Sequence, residues 1–174
     1  GAADYGDAPA SYGTPSHTTP SNLSPSNITP RFGAIVDREN GPFPGTNADG
    51  DDLNSDDPGS TANDEDGITF SGSFDANQNK TITVNTRGTG QINAWIDWNR
   101  DGDFNDAGEQ IVTNQAVSGT STNTQLQIPV PCDAVPGDSY MRFRINTAGG
   151  LGPDGGALNG EVEDYKISIT SSIV

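Results

Sequence analysis

The stretch Tyr140-Met141-Arg142-Phe143-Arg144-Ile145 alternates between apolar side chains and polar or amphipathic ones. Successive side chains of a β-strand point to opposite faces of a sheet, so every second residue shares a face. The alternation predicts a strand that places Met141, Phe143 and Ile145 in a core. It also predicts that Arg142 and Arg144 face outward.

Four more segments show β-type patterns, and together with the first they predict an all-β fold. Turn-forming pairs fall between the segments, at the spacing expected for an antiparallel β-sandwich. No segment of ten or more residues shows the period of a helix. The further strands are predicted at residues 81–84, 91–98, 124–130 and 162–169.

The chain divides by composition into two parts, which we interpret as one domain over residues 1–174. Residues 1–66 are rich in Pro, Ser, Asn, Asp and Gly, whereas residues 67–174 hold all the predicted strands. Apolar anchors such as Tyr12 and Phe32 nevertheless recur in the first part. We therefore expect long irregular acidic loops attached to a β-sandwich core at 67–174.

The chain is strongly acidic, with 24 Asp and Glu against 8 Lys and Arg and a formal net charge of −16. Asp outnumbers Glu by 19 to 5, which favours loops and hard-cation ligands over helix surfaces. Self-repulsion at this charge disfavours a compact state unless counter-ions bind. The lack of a basic stripe argues against a nucleic-acid partner. We expect a fold stabilised by several Ca²⁺ ions.

The sharpest local signal is the segment 97–109, which reads Asp-Trp-Asn-Arg-Asp-Gly-Asp-Phe-Asn-Asp-Ala-Gly-Glu. Its first half has the DxNxDG spacing of an EF-hand loop, in which oxygen ligands alternate along the chain and Gly at position 6 allows the turn. A strand is predicted before it where an EF-hand has a helix. We interpret it as a calcium loop between strands, and the alternative is a solvated acidic hairpin. The predicted ligands are Asp97, Asn99, Asp101, Asp103 and Glu109.

A second acidic set lies in the first part of the chain. Ten carboxylates fall between Asp37 and Asp66, and only Arg38 opposes them. Such crowding raises carboxyl pKa values and destabilises a folded loop unless cations bind. The alternative is again a solvated loop. The ligands predicted in this set are Asp49, Asp51, Asp52, Asp64 and Asp66.

A third acidic set is split between the two ends of the chain. Glu161 and Glu163 share one face of the last predicted strand, and two like charges at that spacing favour a cation or a basic partner. We expect the N-terminal aspartates to lie beside the start of this strand and to tie the irregular part to the sandwich. The ligands predicted here are Asp4, Asp7, Glu161, Glu163 and Asp164.

The rarest residues restrict the chemistry further. Cys132 and His17 are the only cysteine and histidine, so the chain cannot assemble a zinc site from such ligands or form an internal disulfide. We expect Cys132, which ends an apolar run, to be buried. His17 has no suggested catalytic partner, and no nucleophile elbow or phosphate-binding loop is present, so we expect no enzyme. No apolar run reaches membrane-spanning length, so we expect no membrane insertion.

Six motifs in order make the chain resemble the GEVED domain of bacterial surface and secreted proteins. They are DYGDAP at 4–9, SYGT at 11–14, DEDG at 64–67, WIDWNRDGDF at 95–104, PGDSYMRFR at 136–144 and GEVEDY at 160–165. The chain is also similar to the calcium-dependent peptide-binding domain of large RTX adhesins. That resemblance implies bound calcium, extracellular action at the bacterial cell surface, and capture of a ligand peptide through its C-terminal carboxylate.

These features lead to one functional hypothesis with two alternatives. We expect an adhesion module, a monomeric part of a longer chain, that binds an extracellular peptide or protein C-terminus through calcium. The alternatives are a calcium-rigidified spacer and a glycan-binding module. Exposed Trp95 or Trp98 could stack on a sugar, and core burial or packing beside the calcium loop is the other interpretation.

The Gly-rich run at 147–159 is a candidate lip for such a ligand, because glycines allow close backbone approach. The alternative is a flexible connection between strands. The ligand contacts predicted in this run are Asp154, Gly155 and Gly156.

Overall fold

The computed structural model describes residues 3–19, 22–24, 27–36, 41–49 and 65–171, and over these residues the chain is all-β, as predicted. They contain no α-helix, hence none that could cross a membrane, and a single 3-10 turn spans Ala10–Tyr12. The strands are β1 (Ala3–Tyr5), β2 (Ser16–Thr18), β3 (Arg31–Phe32), β4 (Ile68–Thr69), β5 (Phe74–Asp75), β6 (Asn79–Arg87), β7 (Gly90–Ile96), β8 (Gln110–Val117), β9 (Thr122–Pro129), β10 (Gly137–Asn146), β11 (Gly156–Leu158) and β12 (Glu161–Thr170).

The strands form three sheets. The largest has the order β5-β12-β10-β7-β8 and is antiparallel except for the pairing of β12 with β5. In the second sheet, β6 pairs with β9 along most of its length and also with the short strands β3 and β4. A small third sheet, β1-β2-β11, takes two of its three strands from the N-terminal segment.

The main core lies between the two larger sheets. Met141, Phe143 and Ile145 of β10 belong to one cluster of buried side chains with Ile82 of β6, which confirms the predicted inward face of β10. The ring of Phe32 meets that of Phe143 edge-on, with centroids 6.1 Å apart. Full burial of a side chain of this size contributes about 1.5–3 kcal/mol. The alternation in the sequence therefore identified the core correctly.

The opposite face of β10 is covered, which the alternation did not indicate. Arg142 and Arg144 point away from the main core, but only 0% and 1% of their surfaces are exposed. The N-terminal segment, residues 3–19, lies over this face and accepts hydrogen bonds from both arginines. The expectation that the arginines face outward into solvent is wrong, because a third layer packs on the sandwich.

The predicted burial of Cys132 is also wrong, since its side chain is exposed. Strand β9 ends at Pro129, and the chain then turns, with the Ala134 N–H donating to the Pro131 carbonyl. The turn buries Ala134 in the main core and leaves Cys132 at the surface.

Candidate metal centre

The acidic segment 97–109 is the loop between β7 and β8, so it joins two strands as predicted. Gly102 has a φ of +92°, a conformation that favours glycine and that suits the sharp turn at position 6. A Cβ added at Gly102 would lie 3.1 Å from the hydroxyl oxygen of Ser11. The loop therefore turns where expected and packs closely on the N-terminal segment.

Asp97 organises the start of this loop. Its buried carboxylate accepts hydrogen bonds from the backbone N–H groups of Asp101 at 3.3 Å and Gly102 at 3.0 Å. The Tyr12 hydroxyl donates to the same carboxylate at 2.6 Å. Burial, and then the contact with Asp97, raise the pKa of Tyr12, so the hydroxyl keeps its proton and is the donor.

Four carboxylates of the loop converge, namely those of Asp101, Asp103, Asp106 and Glu109. One oxygen of each lies within 4.8 Å of the others. Calcium–oxygen distances are about 2.3–2.6 Å, so two oxygens on opposite sides of one ion are roughly 5 Å apart. The spacing fits one calcium ion, and the group could hold a metal ion. Among the described residues this is the one such group of acidic, histidine or cysteine side chains.

Asp106 is the member of this group that the EF-hand spacing did not predict. It is the tenth residue of the loop, whereas that spacing assigns ligands to the ninth and twelfth. The Asp106 N–H donates to Glu109 Oε1 at 3.2 Å, and the Glu109 N–H donates to the Asp106 carbonyl at 3.2 Å. Glu109 is the thirteenth residue of the loop, one later than the EF-hand spacing requires. This offset was the sign in the sequence that the second half of the loop follows a different spacing.

Two other side chains of the loop contribute hydrogen bonds. Asn99, a predicted ligand, donates from Nδ2 to Asp106 Oδ2 at 2.8 Å and accepts the Asp101 N–H at 3.3 Å. Arg100 turns away and donates to the backbone carbonyls of Pro136 and Asp138, at 3.0 and 2.7 Å. The one basic residue of the loop therefore leaves the carboxylates without a counter-charge from the loop.

The electrostatics of the loop are unfavourable without a cation. Burial, and then the charges of Asp97 and Asp106, raise the pKa of Glu109 to about 7, although the N–H groups of Asp106 and Trp98 oppose the shift. Desolvation, followed by the side-chain interaction with Asp106, raises the pKa of Asp101, although the N–H of Asp103 opposes the shift. A raised pKa means that the ionised carboxylate destabilises the folded state. A bound cation would offset this repulsion.

A surface cavity of about 230 Å³ opens beside the acidic group. Asp106 and Glu109 line one side, and Asp133 lines it from the turn that follows β9. The Val135 N–H donates to the Trp98 carbonyl at 2.8 Å, which holds that turn against the loop. The cavity gives the acidic group an open side toward solvent.

Most residues of the second acidic set lie outside the described part of the chain. Asp51, Asp52 and Asp64 fall outside the described residues. Asp49 is partly buried, and Asp66 accepts the Ala34 N–H through both carboxylate oxygens, at 3.2 and 3.0 Å. Desolvation raises the pKa of Asp66.

The third acidic set is buried, and the structure places it between the N-terminal half and β12. Asp4 Oδ2 accepts the Val162 N–H at 2.6 Å, so this aspartate lies beside the start of β12 as expected. Asp7 is buried nearby in the same segment. Glu161 Oε2 accepts the Phe32 N–H at 2.7 Å. These direct hydrogen bonds tie the first part of the chain to the sandwich.

The remaining members of this set also have protein partners. Glu163 accepts the Gly67 N–H and, at 2.6 Å, the Tyr165 hydroxyl. Asp164 forms a two-pronged ion pair with Arg142, whose Nε and Nη2 each lie 2.8 Å from one carboxylate oxygen. Asp164 also accepts the Ala8 N–H at 2.9 Å. The arginines were missed as site residues because a strand pattern shows which face a residue occupies but not what covers that face.

The predicted ligand contacts of the Gly-rich run support the fold. Asp154 Oδ1 accepts the Thr14 N–H at 3.1 Å. The carbonyls of Asp154 and Gly155 accept hydrogen bonds from Arg144, at 3.0 and 2.9 Å. Gly156 begins β11, which pairs with β2. The run thus forms an ordered connection that holds the N-terminal segment.

Both tryptophans are buried, Trp95 beneath the N-terminal segment and Trp98 in the main core. The interpretation in which an exposed indole stacks on a sugar is therefore wrong, and the alternative of burial is confirmed.

Fold and site together define an all-β domain with a carboxylate group that could hold a metal ion. Residues 91–168 match the model of the GEVED domain family, which confirms the predicted resemblance over this part of the chain. The match begins within β7, includes the whole acidic loop and ends within β12. No curated protein and no solved structure matches the chain.

Proposed function

We propose that this chain is a calcium-binding adhesion module of a bacterial surface protein, which acts outside the cell. The observation that carries the proposal is the convergence of Asp101, Asp103, Asp106 and Glu109 within 4.8 Å. Calcium accepts six to eight oxygen ligands in irregular geometry, whereas magnesium requires a stricter octahedron. A loop of carboxylates, amides and backbone carbonyls supplies the donors that calcium prefers.

The open side of the acidic group supports a role in ligand binding. Asp101 and Asp106 are exposed, and the 230 Å³ cavity adjoins Asp106 and Glu109. An ion held there would keep a position that a ligand oxygen could reach. The resemblance to RTX adhesins suggests the C-terminal carboxylate of a peptide as that ligand. Loop affinities of about 10⁻⁴–10⁻³ M would suit the calcium concentrations outside cells.

A calcium-rigidified spacer is the second candidate, and one observation favours it. The run that contains Asp154, Gly155 and Gly156 binds Arg144 and Thr14 instead of forming an open lip. A spacer needs the ion only for rigidity. The two candidates share calcium binding and differ in whether a ligand is captured.

Catalysis has little support among the described residues. His17 is buried and holds hydrogen bonds to Arg144 and Asn159, so it is poorly placed to act as a general base. We propose that the chain is not an enzyme.

A thermal melt in millimolar calcium and in chelator tests the calcium proposal. We expect the melting temperature to rise with calcium, because binding to the folded state alone stabilises it. Asp101→Asn should reduce this rise, whereas Asp138→Asn removes the same charge from an exposed strand position outside the loop and should preserve it. A chelator-insensitive melt of the unmodified chain would refute calcium binding.

A peptide array probed in calcium and in chelator then distinguishes the adhesion module from the calcium-rigidified spacer. The adhesion proposal predicts binding to free C-termini that calcium strengthens and that C-terminal amidation abolishes. A calcium-dependent melt without peptide binding would favour the spacer.

A further inference from the structure

We propose that Tyr12 is a positioning residue of the metal centre, and that cation binding in the loop 97–109 is coupled to docking of the N-terminal segment, residues 3–19. The inference rests on the proposed function, because it requires that the loop binds calcium. It goes further in making a segment outside the matched GEVED region part of the site.

Tyr12 acts on the carboxylate group through Asp97. Its hydroxyl holds Asp97 Oδ2 at 2.6 Å, and the same oxygen accepts the Gly102 N–H at 3.0 Å. Asp97 Oδ1 accepts the Asp101 N–H. The carboxylate that Tyr12 orients therefore fixes the turn from which Asp101 and Asp103 project. Groups that orient metal ligands in this indirect way tune metal affinity strongly.

The ring of Tyr12 also packs against the loop. Its centroid lies 4.7 Å from that of Phe104, which belongs to the loop, and 5.0 Å from that of Tyr140. The Arg142 guanidinium lies over the Phe104 ring at 5.2 Å, and its Nη1 donates to the Tyr12 carbonyl at 2.6 Å. Segment, loop and sandwich thus meet at one side chain.

Other hydrogen bonds of the N-terminal segment are made to parts of the chain outside the acidic loop. Asp4 and Ala8 bond to β12, and Thr14 bonds to Asp154. If the loop changes conformation when the cation is lost, the N-terminal segment should therefore be disturbed mainly around Tyr12. Coupling between two binding events is reciprocal, so a docked segment must strengthen cation binding by the factor by which the cation strengthens docking.

Tyr12→Phe tests the coupling, with Tyr140→Phe as the matched control. Both changes remove one hydroxyl from the same aromatic cluster, but the Tyr140 hydroxyl donates to the Thr46 carbonyl and not to the loop. Calcium affinity is measured by isothermal titration calorimetry. We expect Tyr12→Phe to raise the calcium Kd roughly 10-fold. We expect Tyr140→Phe to leave it within about twofold, since its effect on the loop is indirect.

Hydrogen exchange of residues 3–19, measured by mass spectrometry with and without calcium, supplies a second readout. Calcium should slow exchange in this segment of the unmodified chain, and should slow it much less in Tyr12→Phe. Equal calcium affinities for the two variants, or exchange in residues 3–19 that calcium does not change, would overturn the inference while leaving the proposed function intact. If the unmodified chain binds no calcium, the proposed function fails and this inference fails with it.

Discussion

Arg144 Nε donates a hydrogen bond to His17 Nε2 at 3.0 Å, and both side chains are buried. The other ring nitrogen, Nδ1, lies 2.7 Å from the Asn159 carbonyl, so it is the nitrogen that carries the proton. Burial, and then the Arg144 charge, lower the pKa of His17 to about 3. A neutral imidazole therefore links β10 to the N-terminal segment.

This arrangement predicts that the contribution of His17 to the stability of the fold decreases as the pH falls. An unfolded histidine binds a proton near its ordinary pKa of 6.5, whereas folded His17 does so only at about 3. Its contribution to stability is thus complete above about pH 6.5 and decreases as the pH falls through that value. At about pH 5 the loss of the His17 contribution reaches about 2 kcal/mol, and comparing the free energy of urea unfolding with that of a variant without the imidazole isolates it.

The control for this prediction is His17→Gln, whose amide can donate and accept but does not titrate. We expect the variant to lose less stability than the unmodified chain between about pH 7.5 and about pH 5, by about 2 kcal/mol. Equal losses in the two proteins would assign the acid sensitivity to other groups.

The buried ion pair between Arg142 and Asp164 predicts a large effect of single substitution. Asp164→Asn leaves the guanidinium buried without its counter-charge, and breaking such a pair costs about 3–5 kcal/mol. Lys166→Ala serves as the control, because it breaks the exposed pair with Asp138 at 3.6 Å, and such pairs contribute about 1 kcal/mol or less. Similar urea midpoints for the two variants would contradict the structural role assigned to Asp164.

Gly160, the first residue of the motif that gives the family its name, predicts a steric effect. It has a φ of +79°, and an added Cβ would lie 1.7 Å from the Ile145 carbonyl oxygen. Gly150 has a similar φ of +69° but open space around it. We expect Gly150→Ala to cost about 1–2 kcal/mol and Gly160→Ala clearly more. Equal unfolding free energies would show that the backbone yields at Gly160.

In the acidic loop we expect one substitution whose effect on the melting temperature is opposite in calcium and in chelator. Desolvation and then the nearby Asp106 raise the pKa of Asp101, so its ionised form destabilises the metal-free loop. In chelator near neutral pH, Asp101→Asn should therefore melt higher than the unmodified chain, because it relieves repulsion. In millimolar calcium the order should reverse. A variant that melts lower in both conditions would show that the ionised Asp101 carboxylate does not destabilise the metal-free loop.

The alternation at 140–145 was sufficient to predict β10 and its core face, because strand periodicity reports burial directly. Strand β8 was not predicted. Its buried valines, Val112 and Val117, are five residues apart, and its ladder with β7 is irregular between Ile92 and Trp95, so a period of two is lost. A β-bulge inserts an extra residue into a strand, so the apolar residues no longer alternate regularly and the strand is not recognised from its sequence.

The candidate site, like the fold, was predictable only in part. Local spacing identified Asp101, Asp103 and Glu109, because ligands of a loop are near neighbours in sequence. Tyr12 could not be identified as the partner of Asp97, because the two are 85 residues apart and only the third layer brings them together. The buried arginines depend on the same layer.

A crystal structure determined in millimolar calcium would show whether the loop 97–109 binds an ion. We expect a strong electron-density peak in this loop, about 2.3–2.6 Å from oxygens of Asp101, Asp103, Asp106 and Glu109. An anomalous signal from the peak would identify the ion as calcium, and soaking in chelator should remove it. If the four carboxylates keep their positions at saturating calcium with only water between them, the loop is not a calcium site.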